Sequence, residues 1–498
     1  VNILTLLDMA ASGFGERTAI GSIGSGITYA ELLERAGRAG QVFKDNGSDR
    51  VSLLDVSSPA LPIALFGAAA AGQPFVPLNY RLAEDDLVAL AERTASATLV
   101  AGDGNGPRVE SVEGITVVDR DDFIAATASG DGIDQAEWPF DPEDIAVLLY
   151  TSGTTGIPKA AVLRHKNLTG YILGSVEYMG AGEDEATLVS VPPYHIAGLA
   201  AMLSSVYAGR RIVQLPNFDA DAWIDAVANE GITHAMVVPT MLARIVERLA
   251  ERGDELPTLR AMSYGGGRMP FPVIDQAMNL LPGVAYVNAY GLTETSSTIS
   301  LLGPDDHWIA HASDDPAMRR RLGSVGRPLP SLEVSIRDEE GNEVPAGTPG
   351  EVWVRGEQVA GEYLQQGSKL TAEGWFPTND GGELDEEGYL FVTGRLDDVI
   401  IRGGENISPG EIEDVLMSHP SVADAAVIGV PSVQWGETIG AVVVGDVDEA
   451  ELKALVAERL RSSRSPDYVV FRDELPYNDT GKLLRRVLRS EMTDLGDG

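Results

Sequence analysis

The 498-residue chain contains no cysteine. That excludes a disulfide scaffold, a Cys-ligated zinc or iron–sulfur centre, and a catalytic thiol. Positive charge is scarce. Lys and Arg total 37 against 75 Asp and Glu, a net charge of −38, and only six of the basic residues are lysine. A general nucleic-acid binder neutralises phosphates with clustered Lys and Arg, so this balance argues against one. Long apolar runs are also missing. The most apolar stretch, Leu61 to Leu78, is interrupted by Pro62, Gly67, Gly72, Gln73, Pro74 and Pro77. A membrane-spanning helix needs about 20 predominantly apolar residues, so a buried helix followed by a loop is expected there. The apolar run Ile3 to Leu7 has no charged segment before it, the first basic residue being Arg17. It does not read as a signal peptide, and a cytoplasmic address is expected.

What is present reads as an ordinary globular chain, 44% hydrophobic and 22% charged, long enough for about three domain-sized units. Strand and helix patterns alternate. Thr28 opens an amphipathic helix with Leu32, Leu33, Ala36, Ala39 and Phe43 at helical spacing and Gly47 as its stop. Strands are expected at 51–56, 97–101 and 145–150, and strand–helix units at 188–203, 212–228 and 234–249. Alternation of this kind implies parallel sheets covered by helices. After about residue 320, short strands between Gly, Pro and Asp turns predict a small antiparallel or barrel-like subdomain. From Asp398 a compact α+β unit follows. The expected class is therefore α/β: a large N-terminal domain, 1–397, hinged to a small α+β C-terminal domain, 398–498.

One segment carries chemistry on its own. In Tyr150-Thr-Ser-Gly-Thr-Thr-Gly-Ile-Pro-Lys159, Gly153 and Gly156 let several backbone N–H groups face one anion. Thr151, Ser152, Thr154 and Thr155 add hydroxyl donors, and Lys159 adds a point charge. A phosphate chain is the natural occupant. The Walker loop is a different object, with another spacing to its lysine and a Lys-Ser/Thr ending absent here. A plain Gly/Ser/Thr loop is the bland alternative.

This segment, with Asn288-Ala-Tyr-Gly-Leu-Thr-Glu-Thr295 and Leu475-Pro-Tyr-Asn-Asp-Thr-Gly-Lys482 in the same order, resembles the adenylate-forming enzymes. That family includes acyl- and aryl-CoA ligases, luciferases and peptide-synthetase adenylation domains. The likeness covers nearly the whole chain. It implies that Asn288, Tyr290 and Gly291 border the adenine, with Tyr290 as its stacking face. Thr293 would bond a phosphate oxygen and Glu294 would hold Mg²⁺, a hard cation that takes few protein carboxylates. Gly265, Gly266 and Gly267, before Arg268, would line the acyl pocket and the adenine edge. His195, in Pro192-Pro-Tyr-His195, would border the carboxylate site. Asp380 would hold the ribose hydroxyls, since a carboxylate accepts two hydroxyl protons at once. Arg395 would contact ribose and phosphate. Asp398 falls at the hinge, and Gly403 and Gly404 would line a pantetheine tunnel after rotation. Lys482 would stabilise charge built as the substrate carboxylate attacks phosphorus. Two positions depart from the family pattern: Asn379 stands where glycine precedes the ribose aspartate, and Asp397 where lysine precedes the hinge.

The resemblance implies two half-reactions in one site. A carboxylate and MgATP give acyl-adenylate and pyrophosphate; coenzyme A then gives the thioester and AMP. Lys482, Glu294, Thr151 and Lys159 are the catalytic candidates, and a fatty, aryl or alicyclic acid the substrate class. The chain ends at Gly498 without a carrier domain, so CoA is expected over a carrier protein. An adenylation protein loading a carrier is the first alternative, and a catalytically silent binding protein on the same scaffold the second. The partners expected are the small-molecule acid, ATP and CoA, with a homodimer as the candidate assembly.

Overall fold

The computed structural model describes residues 1–151, 158–478 and 481–492. Four sheets organise the described residues. The first has eight strands, with Ile145–Thr151 beside Lys159–Arg164 on one side and Phe75–Pro77, Arg50–Leu54, Ala97–Ala101 and Ile115–Asp119 following on the other. The second has nine strands. Its parallel centre is Ala285–Leu292, Ala261–Gly265, His234–Val237, Ala186–Val189 and Arg211–Gln214. Parallel ladders put all these C-terminal strand ends on one edge, where ligands bind in open α/β sheets.

The helices form as their patterns require. Thr28 caps Tyr29–Asp45, its hydroxyl accepting the Glu31 N–H at 3.2 Å. Leu32, Ala36, Ala39 and Phe43 are buried on its inner face. The expected buried helix is Ala60–Ala71, apolar on every side and correspondingly buried on every side from Ala60 to Ala70. Its Gly67 lies so close to the helix Tyr29–Asp45 that a Cβ there would stand 2.5 Å from the Ala39 methyl. The stretch after it is a short strand, Phe75–Pro77, rather than only a loop. Helices on both faces of the first two sheets give the large hydrophobic cores.

The subdomain after residue 320 is a four-stranded antiparallel sheet: Glu333–Arg337, Gly350–Arg355, Phe376–Leu384 and Leu390–Arg395. Residues from Ile400 build the fourth sheet, five strands in which Tyr468–Arg472 pairs in parallel with Gly436–Gly445. This unit has apolar clusters of its own, around Ile412, Leu416 and Val443 on one face and around Ile428 and Leu488 on the other. No described helix is long and apolar enough to cross a membrane.

Candidate active site

The strand Ile145–Thr151 turns back into Lys159–Arg164, with Thr151 directly opposite Lys159. The Thr151 hydroxyl donates to the Lys159 carbonyl at 3.4 Å. Ser152, Gly153, Thr154, Thr155 and Gly156, the rest of the expected phosphate loop, lie outside the described residues. The Lys159 ammonium stands 5.9 Å from the centre of the Tyr363 ring. The Tyr363 hydroxyl in turn donates to Glu294 Oε1 at 2.5 Å. Burial, then the Glu294 charge, pushes the Tyr363 pKa well up, so the phenol keeps the proton it donates. Glu294 sits on a short turn, Thr293–Thr295, whose backbone is fixed by the Ala360 and Gly361 N–H groups donating to the Glu294 carbonyl at 2.9 and 3.1 Å. Tyr363 lies on a two-residue strand paired with Ala161. No local motif marks it; only the fold brings it between lysine and carboxylate.

A second cluster adjoins. Tyr290 donates its hydroxyl to Asp380 Oδ2 at 2.6 Å, and Arg395 Nη1 donates to Asp380 Oδ1 at 2.9 Å and to the Thr378 carbonyl at 2.7 Å. Asp380 and Arg395 are register partners across one antiparallel pair, so the sheet itself sets their separation. Asp380 is only 5% exposed. Burial, reinforced by Asp380, holds the Tyr290 pKa far above its ordinary value. Arg395 also feels the Glu294 charge, which ties the two clusters into one site. Asn288, two residues before Tyr290, commits an amide hydrogen to the Ser324 carbonyl at 3.1 Å. Asn379, the residue replacing glycine, has φ = 61°, a left-handed backbone that asparagine tolerates better than most residues. Its amide donates to Asp397 at 2.8 Å, so the two departures from the family pattern bond to each other.

The wall between these clusters and the C-terminal unit is the loop after Ala261–Gly265. Gly265 sits so tightly against the next strand that a Cβ would stand 2.1 Å from the Ala289 carbonyl oxygen. A Cβ on Gly266 would lie 4.0 Å from His195 Cε1, which brings these two predicted pocket residues together. His195 is also the cap of Ile196–Ala208: its Nδ1 accepts the Ala197 N–H at 3.2 Å. Burial pushes its pKa down to about 4, so the ring is neutral at pH 7.

From the other side, the turn carrying Lys482 seats on the same wall. A Cβ on Gly481 would be 2.7 Å from Thr240 Oγ1, and one on Gly267 would be 3.8 Å from the Gly481 carbonyl oxygen. Lys482 is exposed and donates its backbone N–H to Asn478 Oδ1 at 2.8 Å. Arg485 is largely covered, its side chain 19% exposed. It holds Glu413 through two hydrogen bonds of 2.5 and 3.0 Å and lies 3.6 Å from Asp398. Gly403 and Gly404 occupy an exposed hairpin turn in the fourth sheet. A Cβ on Gly403 would meet the Trp435 ring at 3.0 Å, and one on Gly404 would meet nothing within 4 Å. Arg268, after the three glycines, reaches into the C-terminal unit: Nη1 donates to the Gly410 carbonyl at 2.6 Å and Nη2 pairs with Asp414. Among the described residues no group of three or more His, Asp or Glu side chains gathers to hold a metal.

A family model described as AMP-binding enzyme matches residues 7–364, and one described as AMP-binding enzyme C-terminal domain matches residues 411–482. A 2-succinylbenzoate–CoA ligase of Bacillus cereus (strain Q1) is 38% identical over 362 residues, 72% of this chain and 72% of that protein. A fatty acid–[acyl-carrier-protein] ligase, ScoC, of Streptomyces coeruleorubidus is 32% identical over 484 residues, 94% of this chain and 92% of that protein. The crystal structure of ATP-bound MatB from Rhodopseudomonas palustris superposes with a TM-score of 0.86 at 30% identity, covering 99% of this chain and 100% of the other. With both family models matched along its length, the chain belongs to the AMP-binding, adenylate-forming enzymes, in their acyl-CoA synthetase branch.

Proposed function

We propose that the protein is an ATP-dependent carboxylic acid–CoA ligase. The observation that carries this reading is the convergence of three groups: Lys159–Tyr363–Glu294, Tyr290–Asp380–Arg395, and the Lys482 turn packed on Gly267. In the first half-reaction a substrate carboxylate oxygen forms a bond to the α-phosphorus of ATP. The bond from that phosphorus to the bridging oxygen breaks, and pyrophosphate leaves. Both reactants are anions, so most of the work is alignment and charge neutralisation.

In this reading Asp380 accepts the ribose hydroxyls and Arg395 neutralises phosphate while steadying Asp380. Tyr290 presents its ring to the adenine. Its hydroxyl is tied to Asp380, which fixes the ring's orientation. Thr151, Thr293 and Lys159 face the phosphates. Glu294 is a suitable Mg²⁺ ligand. Tyr363 occupies one of its oxygens and leaves the other, and Mg²⁺ usually completes its shell with water and substrate phosphates. When bound, the ion neutralises phosphate charge; the chain's part is to hold it with one oriented carboxylate. Lys482 supplies charge at the attacked phosphorus, and neutral His195 with Gly265 and Gly267 bounds the acyl pocket. In the second half-reaction the CoA sulfur bonds to the acyl carbon, the thiol proton is released, and AMP leaves. Residues 398–498 act here as a mobile domain that turns at Asp398 and brings Gly403 and Gly404 to the thiol path. A cytoplasmic address follows from the need for ATP and CoA.

A pyrophosphate-release screen over carboxylic acids of graded length and ring content tests the reading, with aryl dicarboxylic and fatty acids as the first members. Release with one class and formation of its CoA thioester support it. No release with any acid overturns it. The likeness to an acyl-carrier-protein ligase motivates a parallel arm with holo-carrier proteins, and transfer to these but not to CoA moves the acceptor assignment.

A further inference from the structure

We propose that Arg268 is a positioning residue for adenylation: it latches the helix Pro409–Met417 to the acyl-pocket loop and so fixes the Lys482 turn over the site. The inference rests on the ligase reading above and adds the device that holds its first arrangement.

The contacts form one continuous chain. Gly265 to Gly267 border the pocket in the ligase reading, and the next residue sends its guanidinium to the helix Pro409–Met417. Nη1 donates to the Gly410 carbonyl at 2.6 Å and Nη2 pairs with Asp414, one turn further along the same helix. Between these two residues on that helix stands Glu413, 5% exposed, which grips Arg485. Arg485 is three residues beyond Lys482. Pocket loop, helix and lysine turn are thereby joined through Arg268 and Glu413. Gly410 is shaped for the contact: a Cβ there would stand 2.7 Å from Arg268 Nη1 and 3.0 Å from the Thr393 carbonyl oxygen. The helix's positive end disfavours a cation at its first turn, so the dipole does not account for the arginine. The forked hydrogen bonds to a carbonyl and a carboxylate do.

If residues beyond the hinge turn to admit the thiol, this helix must leave Arg268. The contacts then exist in only one of two arrangements, and their removal shifts the balance away from it. The loss should fall on adenylation alone.

The test is a double-mutant cycle with Arg268→Ala, Asp414→Ala and their combination, read in both half-reactions. Acid-dependent ATP–pyrophosphate exchange should fall about fivefold in each single variant, the scale of a partly exposed charged hydrogen bond. The double variant should be no slower than Arg268→Ala, because the two act as one unit. Thioester formation from supplied acyl-adenylate should keep its rate or rise, and Arg268→Lys should recover part of the exchange. A second readout is independent of chemistry. The chain has no cysteine, so dyes on Glu247→Cys and Glu458→Cys report the distance between the two units without background labelling. Arg268→Ala should lower the close-distance population in the presence of ATP. Equal losses in both half-reactions, additive losses in the cycle, or an unchanged distance distribution would each overturn the latch. A wild-type chain that exchanges no pyrophosphate with any acid sinks the ligase reading instead, and the distance measurement then still judges the latch.

Discussion

Lys482 has a long, exposed side chain whose base is held firmly. Its N–H donates to Asn478 Oδ1, its carbonyl accepts the Asn478 N–H at 2.9 Å, and Gly481 closes the same turn through its N–H to the Asn478 carbonyl. A long side chain whose backbone is tied at both its N–H and its carbonyl would deliver charge to one place without being fixed before substrate arrives. Lys482→Ala should therefore slow pyrophosphate exchange by about 100-fold or more, the scale of removing one charge-stabilising group from a transition state. Thioester formation from supplied acyl-adenylate should survive, and stopped-flow or quench assays of each step decide it. Asn379 gives a second residue-scale test. At φ = 61° it stands beside Asp380 and donates to Asp397. Asn379→Gly keeps the backbone and loses only that bond, so the KM for ATP should stay within about twofold. Asn379→Val cannot hold the left-handed backbone without strain of about 1–3 kcal/mol, and the displaced Asp380 should raise that KM roughly tenfold. Equal KM values in the two variants would separate Asp380 from the Asn379 turn.

Elements were legible from sequence where the signal is contiguous. The Thr28 cap with its inward face, the strand into Thr151 and the Tyr290–Glu294 turn each declare themselves within about a dozen residues. The contacts that join elements do not. Tyr363 reaches Glu294 across 69 residues, Arg268 reaches Asp414 across 146, and Arg485 reaches Glu413 across 72. Arg485 stands close to Arg486 and Arg489, and no local pattern marks Glu413 as its partner. That buried pair governs how the helix Arg485–Met492 docks. Glu413 side-chain exposure is 6%, and Arg485 also donates to the Val427 carbonyl at 2.6 Å. Removing the arginine alone leaves the buried Glu413 carboxylate with only the Val427 N–H at 2.7 Å, and the Val427 carbonyl without its donor. Arg485→Ala should cost about 3 kcal/mol or more, and Arg485→Met combined with Glu413→Leu should recover only part of that, because the Val427 N–H and carbonyl then both lose their side-chain partners. Thermal unfolding of the full chain, followed by a probe on the C-terminal unit, measures both. A loss no larger than that of a surface substitution would show the pair to be dispensable for docking.

At the scale of the whole molecule, the −38 charge and the buried histidines pull stability in opposite directions as pH falls. Acidification toward the isoelectric point near 4.4 relieves self-repulsion, which favours the compact state. Buried His165 and His307, with half-buried His195, oppose it. Burial holds each pKa near 4 instead of 6.5. Such groups bind fewer protons folded than unfolded between these values. Their neutral form is therefore fully accommodated above about pH 6.5, and stability drops as pH falls through the window. His307 shows why. It is fully buried, Nδ1 donating to the Gly303 carbonyl at 2.8 Å and Nε2 accepting the Tyr264 hydroxyl at 2.8 Å, so a second ring proton would displace the hydroxyl proton that Tyr264 donates. Keeping it neutral at pH 5 against an unfolded value of 6.5 costs about 2 kcal/mol. The repulsion term is long-range and is screened beyond about 8 Å at 0.15 M salt, whereas the histidine term is local and is not. In 0.15 M salt the melting temperature should thus fall between pH 7 and pH 5. At low ionic strength the fall should be shallower, because relief of repulsion offsets more of it. His307→Gln, which cannot titrate, should flatten the profile at both ionic strengths by the same amount. A profile that is flat in the wild type at 0.15 M salt, or unchanged by that substitution, would mean that the acidic surface rather than the buried rings sets the acid limit.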